Sequence, residues 1–157
     1  MREFERFLDI VRALQAEHVE YAVIGGAALN VHGLVRATED VDFFVRVTPE
    51  NVTRLKLALH RVWDDPEIEG ICYDDLVGDY PTVRYGPPED TIYLDILGRL
   101  GELYRYEDLE VEDVEVRNQT VRVASPRMLY RMKRDTVRPQ DHIDAAALRE
   151  RFNLGDE

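Results

Sequence analysis

Cysteine occurs once in this 157-residue chain, at Cys72, which excludes an intramolecular disulfide framework and a cysteine-rich zinc site. The four histidines, His18, His32, His60 and His142, have no ligand spacing among themselves and so offer no zinc site either. Positive charge is scarce: 20 basic residues face 32 acidic ones, for a net charge of −12. Such a surface repels nucleic-acid backbone and anionic membrane at long range, which argues against a dedicated RNA or DNA binder. The charged start, Met1-Arg-Glu-Phe-Glu-Arg6, has no long apolar run after it, so neither a signal peptide nor a membrane span is expected and a cytoplasmic location is. The Rossmann glycine spacing and the P-loop Gly-Lys-Ser/Thr are both missing. No repeat and no linker interrupts the chain. With 45% hydrophobic and 33% charged residues, the composition is that of a folded protein. The expectation is one α+β domain over residues 1–157, with a core over about 1–124 and C-terminal helices over about 125–152.

Phe4, Phe7, Leu8, Val11 and Leu14 recur at helical spacing and predict an amphipathic first helix. Tyr21-Ala-Val-Ile24 reads as a buried strand ended by a Gly25-Gly26 turn. A short helix opens at Ala27 and stops at Gly33. Asp40 to Val47 is β-branched and aromatic, hence a strand. Thr48-Pro49 then caps a helix that continues through Val52, Leu55, Leu59 and Val62. Residues 64–80 give no firm pattern, and Asp64, Asp65, Asp74 and Asp75 read as surface loop acids. Thr82–Tyr85 and Thr91–Leu97 flank a proline-containing loop and form a hairpin signal. Six acids fall between Glu107 and Glu115, a solvated face that can also dock a basic partner. Asn118-Gln119 turns into a strand over 120–124. Ser125-Pro126 opens a helix to about Thr136, and a last helix spans about Gln140 to Phe152.

The chemistry lies between Tyr21 and Val47. Residues two apart on a strand point to one face, so Asp40 and Asp42 project together. Two carboxylates so close repel each other, and without a counter-charge one tends to keep its proton. Mg²⁺ removes that conflict, taking one or two protein carboxylates and completing its shell with water and phosphate oxygens. Asp95, the single charge inside the apolar run Thr91–Leu97, either completes a three-acid cluster or serves a structural ion pair at a strand end. The Gly25-Gly26 turn lets backbone approach an anion, with the following helix presenting its amides. Arg36 can neutralise phosphate or pair with Glu39, and Thr38 can bond phosphate or cap the turn. Lys133 lies beside Leu129 and Met132 on the apolar side of its helix, from which it can reach the site. Arg138 with Asp141 or Asp144 reads as an ion pair between the last helices. His32 reads as a satisfied structural histidine and Trp63 as a packing residue.

Gly25-Gly26 after a strand, a short helix, then Arg36-x-Thr38-x-Asp40-x-Asp42 with an apolar tail resembles the nucleotidyltransferase superfamily of the DNA polymerase β type. The stretch from Ser125-Pro126 through Lys133 to Arg138-Pro139-x-Asp141-x-x-Asp144 resembles small bacterial members, the AbiEii group and the minimal nucleotidyltransferases of toxin–antitoxin systems. Lincosamide-modifying enzymes are more distant relatives. The resemblance covers about residues 4–47 and 91–152. One departure is Gly26, where the superfamily often has a serine whose hydroxyl can bind the triphosphate.

The resemblance implies a mixed β-sheet with helices packed on it and a C-terminal helical pair. It implies Mg²⁺-dependent (or Mn²⁺-dependent) transfer of a nucleoside monophosphate from a nucleoside triphosphate to a hydroxyl acceptor. In that reading Asp40, Asp42 and Asp95 are the metal-binding and catalytic acids, and Gly25, Gly26, Ala27, Arg36, Thr38 and Lys133 bind the nucleotide. The charge favours a small molecule or a protein over tRNA as acceptor. A cognate toxin or antitoxin protein is the implied partner. The alternative is a non-catalytic, antitoxin-like module that binds a partner through its acidic surface. A metal-dependent hydrolase is a weaker third reading, because no histidine or serine stands ready to assist water.

Overall fold

A computed structural model describes residues 2–35, 40–78, 81–88, 90–101 and 104–155. Its centre is a six-stranded mixed sheet in the spatial order β3 (Thr82–Tyr85), β4 (Tyr93–Leu97), β2 (Asp40–Val45), β1 (Tyr21–Ile24), β8 (Gln119–Ala124), β7 (Val111–Val116). Helix α1 (Arg2–Ala16) buries Phe7, Leu8, Val11 and Leu14 of the stripe that the helical periodicity predicts, with Phe4 partly buried and Ile10 buried in addition. Strand β1 (Tyr21–Ile24) is buried along its whole length, as a short apolar run in mid-sheet must be. It pairs antiparallel with β2 (Asp40–Val45) and parallel with β8 (Gln119–Ala124).

Between β1 and β2 lies α2 (Gly25–Val31). The two glycines are its first residues rather than a turn before it. Gly25 has φ +68°, a left-handed conformation that only glycine adopts without strain, and this sharp bend lets the helix follow the strand directly. Helix α3 (Pro49–Val62) starts as the sequence predicts, with the Thr48 hydroxyl accepting from the Asn51 amide at 3.1 Å and proline in its first turn. The Asn51 side chain is buried and does further work. It accepts from the Glu20 amide at 2.8 Å and donates to the Glu20 and Arg46 carbonyls at 3.0 and 2.8 Å, joining the start of β1 to the end of β2.

The unassigned stretch after α3 holds a short 3-10 turn (Pro66–Gly70) and α4 (Tyr73–Val77). One of its acids is not the surface residue expected, and another, Asp75, is exposed but sits in α4 rather than in a loop. Asp65 is buried, caps the 3-10 turn through the Glu67 amide and accepts the Tyr85 hydroxyl at 2.6 Å. Asp75 accepts from the Cys72 amide and thiol at 3.3 and 3.0 Å. Strands β3 (Thr82–Tyr85) and β4 (Tyr93–Leu97) form the expected antiparallel hairpin, and β4 also lies parallel to β2. Two small strands, β5 (Arg99–Leu100) and β6 (Tyr104–Arg105), pair apart from the main sheet.

The acid-rich segment contains a strand that the run of charges hid. Strand β7 (Val111–Val116) forms a hairpin with β8 through Arg117 and Asn118, both at positive φ, which is the geometry of a two-residue turn matched to strand twist. It tolerates its acids because it is the sheet edge and mostly solvent-facing. Ser125 caps α5 (Pro126–Arg134) by accepting from Met128 at 3.1 Å, and α6 (Pro139–Phe152) packs against α5. No helix among the described residues is long and apolar enough to cross a membrane.

Candidate active site

Asp40, Asp42 and Asp95 come together because of the parallel β2–β4 pairing. In that register Asp42 stands directly opposite Asp95, and Asp40 opposite Tyr93. The even alternation of a strand puts Asp40, Asp42, Tyr93 and Asp95 on one face of the sheet. The opposite face carries Phe43, whose ring meets those of Phe7 and Tyr21, and is covered by α1. The acids therefore stand on the α2 side.

Asp42 carries the mark of this crowding. Burial, the neighbouring Asp95 charge, the hydrogen bond it shares with Asp95 and the Asp40 charge together push its carboxyl up to about 7, against the downward pull of the Lys133 ammonium. Gly25 closes over the same carboxylate. A Cβ built on Gly25 would lie 2.3 Å from Asp42 Oδ2, so only glycine lets the opening of α2 approach that acid.

Lys133 is held between two buried acids of α6, with Nζ 3.3 Å from Asp141 Oδ1 and 3.2 Å from Asp144 Oδ2. The Thr136 hydroxyl donates to Asp141 at 2.8 Å, and the Gln140 amide donates to Asp144 at 3.0 Å. Burial raises the Asp141 carboxyl, but the Thr136 hydrogen bond and the Lys133 charge outweigh it and hold the group below its usual value. The ion pair expected from Arg138 is minor: Arg138 Nε reaches Asp141 only at 3.9 Å, and Lys133 is the principal counter-charge. Arg36 and Thr38 lie outside the described residues.

Two residues of this face were not singled out from the sequence. Arg84 stands opposite Asp95 in the β3–β4 register and reaches over both strands, with Nη2 3.2 Å from Asp40 Oδ1 and Nη1 3.3 Å from Asp95 Oδ2. Tyr93 lies under it, with the guanidinium carbon 4.3 Å from the ring centroid. The hairpin signal contained both residues, but an irregular loop left the register, and so the pairing of Arg84 with Asp95, open. Among the described residues no three of His, Cys, Asp and Glu are arranged as a ready-made cation cage. His32 is satisfied by the Ala124 carbonyl at 2.8 Å, and Trp63 is buried with its indole donating to Asp90 at 2.6 Å.

The family model of the nucleotidyl transferase AbiEii toxin, from type IV toxin–antitoxin systems, matches residues 6–154. The chain belongs to the AbiEii family. Solved structures with the same fold include an antigenic nucleotidyltransferase-like protein from Paracoccidioides brasiliensis, at 20% identity over 94% of this chain and 76% of that one, with a TM-score of 0.59. ANT(2")-Ia in complex with adenylyl-2"-tobramycin aligns at 12% identity over 97% of this chain and 90% of its own, with a TM-score of 0.60. A Thermotoga maritima protein described as a nucleotidyltransferase aligns at 17% identity over 98% and 94% of the two chains, with a TM-score of 0.56. No individually curated protein matches the sequence. The AbiEii family and the shared fold support nucleotidyltransferase activity for this protein.

Proposed function

We propose that this AbiEii protein uses Asp40, Asp42 and Asp95 with a divalent cation, Mg²⁺ or Mn²⁺, to transfer a nucleoside monophosphate from a nucleoside triphosphate to a hydroxyl acceptor. The observation that carries this reading is the register that sets Asp42 opposite Asp95, with Asp40 on the same face and Gly25 pressed against Asp42. The chemistry of the donor set suits the ion: three hard carboxylates from two adjacent strands, with the Asp42 carboxyl raised chiefly by burial and by Asp95. Asp40 and Asp42 are the residues that would hold it. A cation held there would neutralise the carboxylates and would attract the phosphates of a triphosphate.

The chain's own groups supply positioning. Gly25, Gly26 and the Ala27 amide line the opening of α2 toward the phosphates, and Lys133 adds positive charge beside Asp42. Arg36 and Thr38 belong to the same phosphate-binding side in this reading. Asp95 takes the proton of the acceptor hydroxyl, or joins a second cation, as that oxygen attacks the α-phosphorus and pyrophosphate leaves. The adenylylated 2"-position of tobramycin bound to ANT(2")-Ia supports a hydroxyl acceptor. The net charge of −12 favours a small molecule or a protein over tRNA. The family supports a role as the toxin half of a two-protein system, with a cognate antitoxin as partner.

One observation favours the alternative of a non-catalytic, partner-binding module: Arg84 already bridges Asp40 and Asp95. The two readings separate in one experiment. The protein is incubated with Mg²⁺, labelled nucleoside triphosphates and cell extract, and a thermal melt is run with and without Mg-ATP. Label transfer that is lost in Asp42→Asn, with a melt raised by Mg-ATP, supports the enzyme. No transfer and no shift with any triphosphate supports the binding module.

A further inference from the structure

Arg84 holds two of the three acids without committing to either. Instead of gripping one carboxylate with both prongs, it gives Nη2 to Asp40 at 3.2 Å and Nη1 to Asp95 at 3.3–3.4 Å. Both contacts are long for charge-assisted bonds, and the Arg84 side chain is 51% exposed on an edge strand. A structural arginine that locks two acids is normally desolvated and bidentate; this one is neither. It also already rests on an aromatic face beside the acids. The Tyr93 ring beneath it is exposed on its outer side and seated against Gly86, where an added Cβ would lie 2.8 Å from Tyr93 Cε1. The guanidinium can therefore leave the carboxylates while keeping the aromatic face. The hydrogen-bonded register of the sheet makes the position specific, since Arg84, Asp95 and Asp42 occupy consecutive places across β3, β4 and β2.

We propose that Arg84 is the site's built-in counter-cation: it spans Asp40 and Asp95 when no divalent ion is bound, withdraws from them along the Tyr93 face when one binds, and so sets the cation concentration at which the site fills. This rests on the metal-dependent reading above. The device stabilises a cluster of like charges in the resting protein and opposes filling of the site by a lone metal ion. Displacement needs no change in the sheet, only rotation of an exposed side chain.

The test is Mn²⁺ binding to the full chain without nucleotide, read by the loss of the free-ion electron paramagnetic resonance signal, for wild type, Arg84→Gln, Arg84→Lys and Asp42→Asn. Arg84→Gln removes both contacts and is expected to bind Mn²⁺ about tenfold more tightly than wild type, the scale that two solvent-facing ion pairs supply. Arg84→Lys keeps the charge but cannot span two carboxylates, so it is expected to bind more tightly than wild type as well. Asp42→Asn should bind Mn²⁺ weakly. Equal affinity in wild type and Arg84→Gln overturns the proposal while leaving the metal site intact. Tighter binding in Arg84→Gln with wild-type affinity in Arg84→Lys also overturns it, because charge alone would then suffice. If no variant binds Mn²⁺ at millimolar concentration, the metal-dependent reading fails and the proposal with it.

Discussion

The carboxylate of Asp42 lies so close to the α-carbon of Gly25 that a single methyl group there would come within 2.3 Å of Oδ2. Gly25 also sits at φ +68°, so two independent demands meet at one residue. Gly25→Ala is expected to cost about 1–2 kcal/mol for the left-handed conformation alone, and to push Asp42 out of its place opposite Asp95. Urea unfolding should show the stability loss. Nucleotidyl transfer should fall further than unfolding accounts for, because the folded fraction carries a displaced acid. Gly26→Ala is the comparison: Gly26 has no positive φ, so that variant escapes the left-handed backbone cost.

Asp42 links stability to pH in a direction that can be worked out. Its carboxyl titrates near 3.8 in the unfolded chain and is raised to about 7 in the fold, chiefly by burial and by Asp95. The native state thus binds the proton more tightly. The stability this supplies is complete below about pH 4 and is lost as pH rises through about 7. In the metal-free protein Asp42→Asn should therefore melt higher than wild type at pH 8, with the difference vanishing toward pH 4. The same variant should lower transfer by at least about a hundredfold, the scale seen when a site loses one charge-stabilising group. Calorimetric melts across the pH range, in chelator, check the first part. A variant that is uniformly less stable at every pH would contradict it.

Much of this site was legible because strand periodicity alone puts Asp40 and Asp42 on one face, and because Thr48-Pro49 and Ser125-Pro126 are strong helix starts. The Asp95 placement required knowing that β4 runs parallel to β2, a long-range pairing that no local pattern encodes; it came from the resemblance. Arg84 and Asp65 were missed for related reasons. Arg84 meets Asp95 through a hairpin register that the irregular loop left open, and Asp65 is buried by Tyr85, which lies 20 residues away. Strand β7 was hidden because an edge strand can carry alternate acids at no burial cost, so its composition looked like a solvated loop.

Lys133 is the counter-charge for two buried acids, and its removal should show it. Asp141 and Asp144 are 8% and 5% exposed and would be left together without their ammonium. Lys133→Met is expected to destabilise the protein by about 3 kcal/mol and to loosen the packing of α5 on α6. Asp42 should respond too, because Lys133 lowers its carboxyl; in the variant the pH at which metal-free stability falls should move upward. Adding Asp144→Asn to Lys133→Met removes one stranded charge and should restore part of the loss. A double-mutant cycle by chemical denaturation measures the coupling.

Asn51 tests whether the site depends on the far end of its strands. It is 1% exposed, and its side chain satisfies the Glu20 amide, the Glu20 carbonyl and the Arg46 carbonyl. Asn51→Ala strands the Glu20 amide and the Arg46 carbonyl, while the Glu20 carbonyl keeps the Arg46 amide at 3.2 Å, and should cost about 2 kcal/mol, on the order of 1 kcal/mol per orphaned partner. Asp40 and Asp42 stand at the other end of β2, beyond Phe43, Phe44 and Val45, which are buried and paired with β1. The loss at Asn51 should therefore remain local. Mn²⁺ affinity and the transfer rate of the folded protein, measured well below the melting temperature, should match wild type, while the unfolding midpoint in urea drops. A fall in Mn²⁺ affinity at constant fold would mean that the start of β1 and the end of β2 control the spacing of the acids after all.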